Sequence, residues 1–189
     1  AFGEKFLDKI NGMFSFAIYN SESQSVTLAR DRLGKKPLFY ANTDYGLIFS
    51  SNLKAISRSG LVNNIVSQEA VYLFLKYGFI PEEKCIYSSI KKVKSAEIVT
   101  YDATQLKKKI YWKVPNQVTY QKNGKFISKI ESIIKSAIEM RILQSDVEVA
   151  SFLSGGVDSS GVTCLAANMV KDKKIKAFHI VPDNEEYDE

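Results

Sequence analysis

The chain has 189 residues, 45% hydrophobic and 12% aromatic, enough to bury a core and to build one large domain or two small ones. Lys and Arg outnumber Asp and Glu by 26 to 21, but the excess is scattered through "KKVK", "KKK" and "KDKK", which describes solvated surface and no nucleic-acid-binding face. No apolar run approaches a membrane span, no secretory leader is seen, and Cys85 and Cys164 lie outside any CxxC spacing, so a cytoplasmic chain with reduced, buried thiols is expected.

From Gly12 to about Trp112, short β-like runs alternate with turn residues: "MFSFAIYN", "SVTLAR", "PLFYAN" and "GLIFSS". In the first, Phe14, Phe16 and Ile18 face one side and Met13, Ala17 and Tyr19 the other, which predicts a strand covered on both faces. "ARDRLGKKPLFY" reads as a hairpin turning at Gly34, with Arg30, Asp31 and Arg32 as a charge network that fixes the turn in preference to a binding cluster. Ser67 then caps a helix, "QEAVYLFLKYG", whose Val71, Phe74 and Leu75 form an apolar face expected to pack, and Gly78 and Pro81 end it. "SAEIVTYD" and "KIYWKV" predict a last strand pair, with Trp112 as a packing anchor.

A polar stretch, "VPNQVTYQKNG", predicts a linker over residues 115–124, dividing the chain into segments 1–114 and 125–189. After it, Phe126, Ile127, Ile130, Ile133, Ile134, Ala137 and Ile138 recur at three- and four-residue steps, the pattern of a long amphipathic helix. Strand-like "VEVASFL", helix-like "GVTCLAANMV" and strand-like "IKAFHIV" follow, predicting the start of a parallel α/β sheet.

"LSGGVDSSG" therefore lies at the carboxyl end of a parallel strand, where such sheets bind ligands. Gly155 and Gly156 let backbone N–H groups converge on an anion at a helix N-terminus, and Ser154, Ser159 and Ser160 add hydroxyls. The loop has neither the lysine of GxxxxGK[ST] nor the GxGxxG pattern. Asp158 beside phosphate calls for a divalent cation between them, which points to magnesium. Phosphate binding is preferred to a plain glycine-serine turn. His179, the lone histidine, is read as a satisfied strand residue.

"SFLSGGVDSS" resembles the SGGxDS pyrophosphate loop of the N-type ATP pyrophosphatases, and "RILQSDVEVASFLSGGVDSS" resembles the approach to that loop in glutamine-hydrolysing asparagine synthetases. "INGMFSFAIYN", "LARDRLGKKPLFY", "LIFSSNLKAI" and "YLFLKYGFIPEEKCIY" resemble, in order, the later part of that family's glutaminase domain. The resemblance implies an α+β part, the carboxyl-terminal half of an Ntn-type αββα glutaminase domain, followed by an α/β part that begins an adenine-nucleotide α-hydrolase-like parallel sheet. It implies glutamine hydrolysis to ammonia, Mg-ATP adenylation of the aspartate β-carboxylate with release of pyrophosphate, and attack by ammonia to give asparagine and AMP.

By position, the resemblance makes Ser154, Gly155, Gly156, Val157, Asp158, Ser159 and Ser160 the pyrophosphate loop, Asp158 also a metal ligand, and the backbone around Phe152 and Leu153 and at Ile180 the face toward adenosine. Its implied partners are glutamine, ATP and aspartate or another carboxylate, with a homodimer allowed for the complete protein. The family's amino-terminal cysteine nucleophile and glutamine-clamping segments would precede Ala1, Cys85 and Cys164 are internal, and "EEYDE" falls before the second nucleotide loop and the catalytic lysine. The expectation is a fragment with no catalytic residue of its own, inactive alone. Glu148 and Ala150 before the loop, Lys94, Ser95 and Ala96 in place of a proline-glycine turn, and Asn52 in place of a glutamate depart from the family. They leave open amidation of another carboxylate, such as a sugar acid; a different ATP pyrophosphatase and a non-catalytic module that keeps the fold stand as separate alternatives.

Overall fold

A computed structural model describes residues 3–81, 83–102, 105–116, 125–170 and 174–180. Two compact units divide the chain, Ala1–Asn116 and Gln117–Glu189. Residues 117–124 of the expected linker and the closing "EEYDE" lie outside the described residues.

The first unit opens with a 3-10 helix, Gly3–Lys9, and holds two antiparallel sheets. One is built from β1 (Ser15–Asn20), β2 (Ser25–Arg30), β6 (Glu97–Tyr101) and β7 (Leu106–Ile110), in that order. The other runs β4 (Gly46–Ser50), β3 (Phe39–Thr43), β5 (Lys91–Lys92). Two helices lie between β4 and β5, α1 (Leu53–Ser57) and α2 (Gln68–Tyr77).

Strand alternation sorts the core into layers. Leu28 and Val99 of the first sheet and Tyr40 of the second share one buried cluster with Leu38 and Val93, so the sheets face each other across it. Their sequence neighbours point the opposite way: Ala29 and Ile98 bury against Leu7 of the 3-10 helix, and Ala41 buries with Ile56 of α1, Cys85 and Ile90. The order is helix, sheet, sheet, helix.

Several expectations change here. Gly34 does take a positive φ of 63°, and an added Cβ would strike Ser95 Oγ and the Arg30 guanidinium. Yet the segment is no hairpin, because β2 pairs with β1 and β6 while β3 pairs with β4 and β5. The turn passes the chain from one sheet to the other. The charge network holds it there: the buried Asp31 carboxylate accepts from Leu33, Lys35 and Lys36 backbone N–H at 3.2, 2.9 and 2.9 Å. Arg30 donates to the carbonyls of Gly34, Lys36 and Val93.

β1 is not covered on both faces; it is an edge strand, half-buried only at its first two residues, with Ile18 and Tyr19 exposed. α2 forms as expected, with Ser67 Oγ accepting from Ala70 N–H at 3.2 Å and Gly78 left-handed at φ 76°. Its apolar face does not pack. Among the described residues of the helix only Ala70 is buried, and Val71, Phe74 and Leu75 are exposed. Cys164 is exposed as well, against the expectation of two buried thiols.

The second unit contains α3 (Lys125–Leu143), β8 (Ala150–Phe152), α4 (Val157–Met169) and β9 (Lys176–Phe178). β8 and β9 pair in parallel, Phe152 opposite Phe178, with α4 as the crossover. Both strands are shorter than their apolar runs, because pairing spans three residues on each.

Candidate phosphate loop and relatives

The loop is built from the carboxyl end of β8 and the first turn of α4. Leu153 extends the parallel ladder by one bond, its N–H donating to Phe178 O at 2.8 Å. Gly155 then takes φ 99°, a conformation a side chain resists, and Gly156 returns to φ −64°, ψ 159° as the N-cap residue. The two glycines have different work: one makes the corner and the other starts the helix without a side chain over its mouth.

Ser159 is the hub that keeps the corner closed. Its hydroxyl donates to Gly156 O at 3.1 Å and accepts from Ser154 N–H at 3.3 Å, and the Ser154 and Ser159 hydroxyls meet at 3.0 Å. Ser154 Oγ also accepts weakly from Gly156 N–H at 3.4 Å, and Ser160 Oγ donates to Gly155 O at 3.4 Å. With Ser159 O–H committed to Gly156, the Ser154 hydroxyl is the donor between the two serines. Thr163 ties the helix to the strand, donating to Ser159 O at 2.7 Å and meeting Ser151 Oγ at 2.8 Å.

Among the described residues no side chain caps α4, whose first turn carries Asp158. Backbone N–H groups of a first helical turn have no partner within their own helix, so this end suits an anion. Asp158 and Val157 are exposed, Val157 at 90%. Phe152 and Ile180, each 78% exposed, stand at the ends of adjacent parallel strands beside the loop.

Among the described residues no group of three or more His, Cys, Asp and Glu could hold a metal. A lone carboxylate still suits magnesium, which keeps most of its water and shares the oxygens of a bound phosphate. A cleft of about 460 Å³ lies elsewhere, at the amino ends of β8 and β9, its lining divided between apolar residues such as Ile142 and Val170 and the polar Ser145, Asp146, Glu148 and Lys174. Parallel sheets bind ligands at the opposite end, so the loop and not the cleft is the candidate site.

All ten sequence-selected residues, Phe152 to Ser160 with Ile180, are thus found at the carboxyl ends of β8 and β9 and the start of α4. Ser154, Gly155, Gly156, Ser159 and Ser160 are joined by hydrogen bonds; Asp158 and Ile180 enter none of them. Sequence reading missed the contact of His179 with the loop. His179 sits one residue past β9, and its Nδ1 lies 2.7 Å from Leu153 O. Only the register between two strands reveals that contact, and no local pattern carries it.

A parallel β-α-β unit with a glycine-serine corner, following a double-sheet unit, defines the class of protein. The chain belongs to the glutamine amidotransferase domain family, whose match covers residues 1–112. Residues 129–189 match the asparagine synthase family. A putative asparagine synthetase [glutamine-hydrolyzing] 2 of Methanocaldococcus jannaschii is 32% identical over 91% of this chain and 34% of its own length. Asparagine synthetase [glutamine-hydrolyzing] 3 of Bacillus subtilis is 31% identical over 98% of this chain and 30% of its own length. The chain spans about a third of the length of these relatives. No helix among the described residues is long and apolar enough to cross a membrane.

Proposed function

We propose that this chain is part of an ATP-dependent, glutamine-hydrolysing amidotransferase of the cytoplasm that makes asparagine from aspartate. The observation that carries the reading is the order of two family matches on one chain, glutamine amidotransferase then asparagine synthase, with a phosphate-type corner inside the second. On this reading residues 1–114 are the later part of an Ntn-type αββα glutaminase domain, 115–124 a linker and 125–189 the start of an ATP pyrophosphatase sheet.

The reaction has three balanced parts. Glutamine and water give glutamate and ammonia. An aspartate β-carboxylate oxygen bonds to the α-phosphorus of ATP as the bond from that phosphorus to the bridging oxygen breaks, releasing pyrophosphate. Ammonia then bonds to the acyl carbon, the bond to the AMP oxygen breaks, and a proton is lost.

In this scheme the chain's own groups bind and orient. The first-turn N–H groups of α4 receive the pyrophosphate part, stabilising the charge that grows on it, while the hydroxyls of Ser154, Ser159 and Ser160 hold the loop in shape around it. Phe152, Leu153 and Ile180 offer backbone and apolar surface to adenosine. Asp158 would hold Mg²⁺ together with phosphate oxygens and water, and the ion would supply charge neutralisation there.

The test is made on the protein from the complete natural reading frame, given glutamine, aspartate, ATP and magnesium. Asparagine, AMP and pyrophosphate are expected in equal amounts. AMP formed only with another carboxylate, and no asparagine, moves the reading to a different acceptor; no AMP with any carboxylate removes it.

A further inference from the structure

We propose that His179 is a positioning residue of the phosphate loop, holding the Leu153–Ser154 peptide in the orientation the loop needs; this rests on the ATP-binding reading above. A backbone carbonyl can only accept, so the 2.7 Å contact makes Nδ1 the protonated ring nitrogen and Leu153 O its acceptor. The same peptide unit carries Ser154 N–H. In a planar trans peptide the C=O and the N–H point in opposite directions, and no peptide bond described here is cis. One end of the plane is therefore held by His179, and the other donates to Ser159 Oγ at 3.3 Å.

The position of this plane gives the bond its consequence. Leu153 N–H is already tied to Phe178 O at 2.8 Å, and Gly155, two residues on, is the left-handed corner. Between them lie two peptide planes, Leu153–Ser154 and Ser154–Gly155, and the first is the one that His179 and Ser159 hold at its two ends. If it turns, Ser154 N–H leaves Ser159 Oγ, and the corner loses one of the bonds that meet at the Ser159 hydroxyl. His179 follows directly on β9, so it reports the register of that strand to Leu153, 26 residues earlier.

Two substitutions separate positioning from bulk packing, again in the protein of the complete reading frame. Asn places its side-chain nitrogen the same number of bonds from Cα as His Nδ1, so His179→Asn retains the donor; His179→Leu keeps apolar bulk without it. Calorimetric titration with Mg-ATP is expected to show His179→Leu weaker than the parent by about 3- to 10-fold, the range of one lost neutral hydrogen bond, and His179→Asn close to the parent. The thermal midpoints of both should match the parent, and ring ¹⁵N shifts of His179 should report the Nδ1–H tautomer. Equal Mg-ATP affinity for parent and His179→Leu, or His179→Asn as weak as His179→Leu, overturns the inference while leaving ATP binding in place. A parent that does not bind Mg-ATP overturns both.

Discussion

Glu83 shows at the scale of one residue how a polar group is built into the first unit. Its carboxylate joins Lys108 Nζ at 2.6 Å and Lys94 Nζ at 2.7 Å, bridging β7 to the segment before β6. Hydrogen bonds from Lys108 and then Lys94 lower its pKa to about 2 from 4.5, against a smaller opposing effect of burial. A carboxyl depressed in the folded state contributes stability that is complete above the unfolded value and is lost as pH falls through the folded one. The window is therefore pH 4.5 down to about 2. Thermal midpoints of the parent should fall across that window and those of Glu83→Gln should fall less; parallel curves would show that the bridge has no such role. Asp31 works in the same direction: burial raises its pKa, but the backbone donors of Lys35, Lys36 and Leu33 outweigh it. The role of Asp31 was legible from "RDRLG" as a fixed charge network, whereas Glu83 was not singled out, since its partners come from 11 and 25 residues away.

Elements were legible where a local signal is enough, and their neighbours were not. Periodicity and Ser67 place α2 correctly, but periodicity names the apolar side of a helix without saying what lies against it. The same holds for β1 and for α3, where Ile127, Ile133 and Ile134 are exposed and Ile138 is buried. The Gly34 turn was recognised, yet the change of sheet was invisible, because strand partners are chosen by long-range burial. α1 was missed altogether, although Asn52 caps it by accepting from Lys54 N–H at 2.9 Å. For α2 the structure reverses what the apolar face suggests about stability. Leu75 is 79% exposed, so Leu75→Ala should change unfolding free energy by under about 0.5 kcal/mol. Gly78 has φ 76° and open space around its Cβ position, so Gly78→Ala meets only backbone strain, about 1–2 kcal/mol. Urea midpoints of the two variants decide this; a Leu75→Ala loss exceeding that of Gly78→Ala would mean the face is covered in solution.

Across the whole chain, the two units differ in how much core each possesses. Among its described residues the first has three buried clusters arranged as layers around two sheets, with β2 and β6 flanked by strands on both sides. In the second, among the described residues, Ile138 and Ala166 are the buried apolar side chains, and the parallel pair is three residues long. Protection against hydrogen exchange follows the burial around a hydrogen bond, so the units should not exchange together. Amides of Leu28 and Val99, whose side chains are 0% exposed, are expected to exchange slowest, and those of α3 sooner by roughly a hundredfold or more. The loop serines, resting on α4 and β8, belong to the faster class, which is consistent with a site that a bound nucleotide would order. Exchange followed by mass spectrometry on this 189-residue chain tests the contrast, and the dependence on protein concentration tests its cause. If α3 is as protected as β6 when dilute, the second unit has a core of its own. If it gains protection only when concentrated, its exposed isoleucines are being covered by another copy, since apolar surface of this kind associates when nothing else covers it.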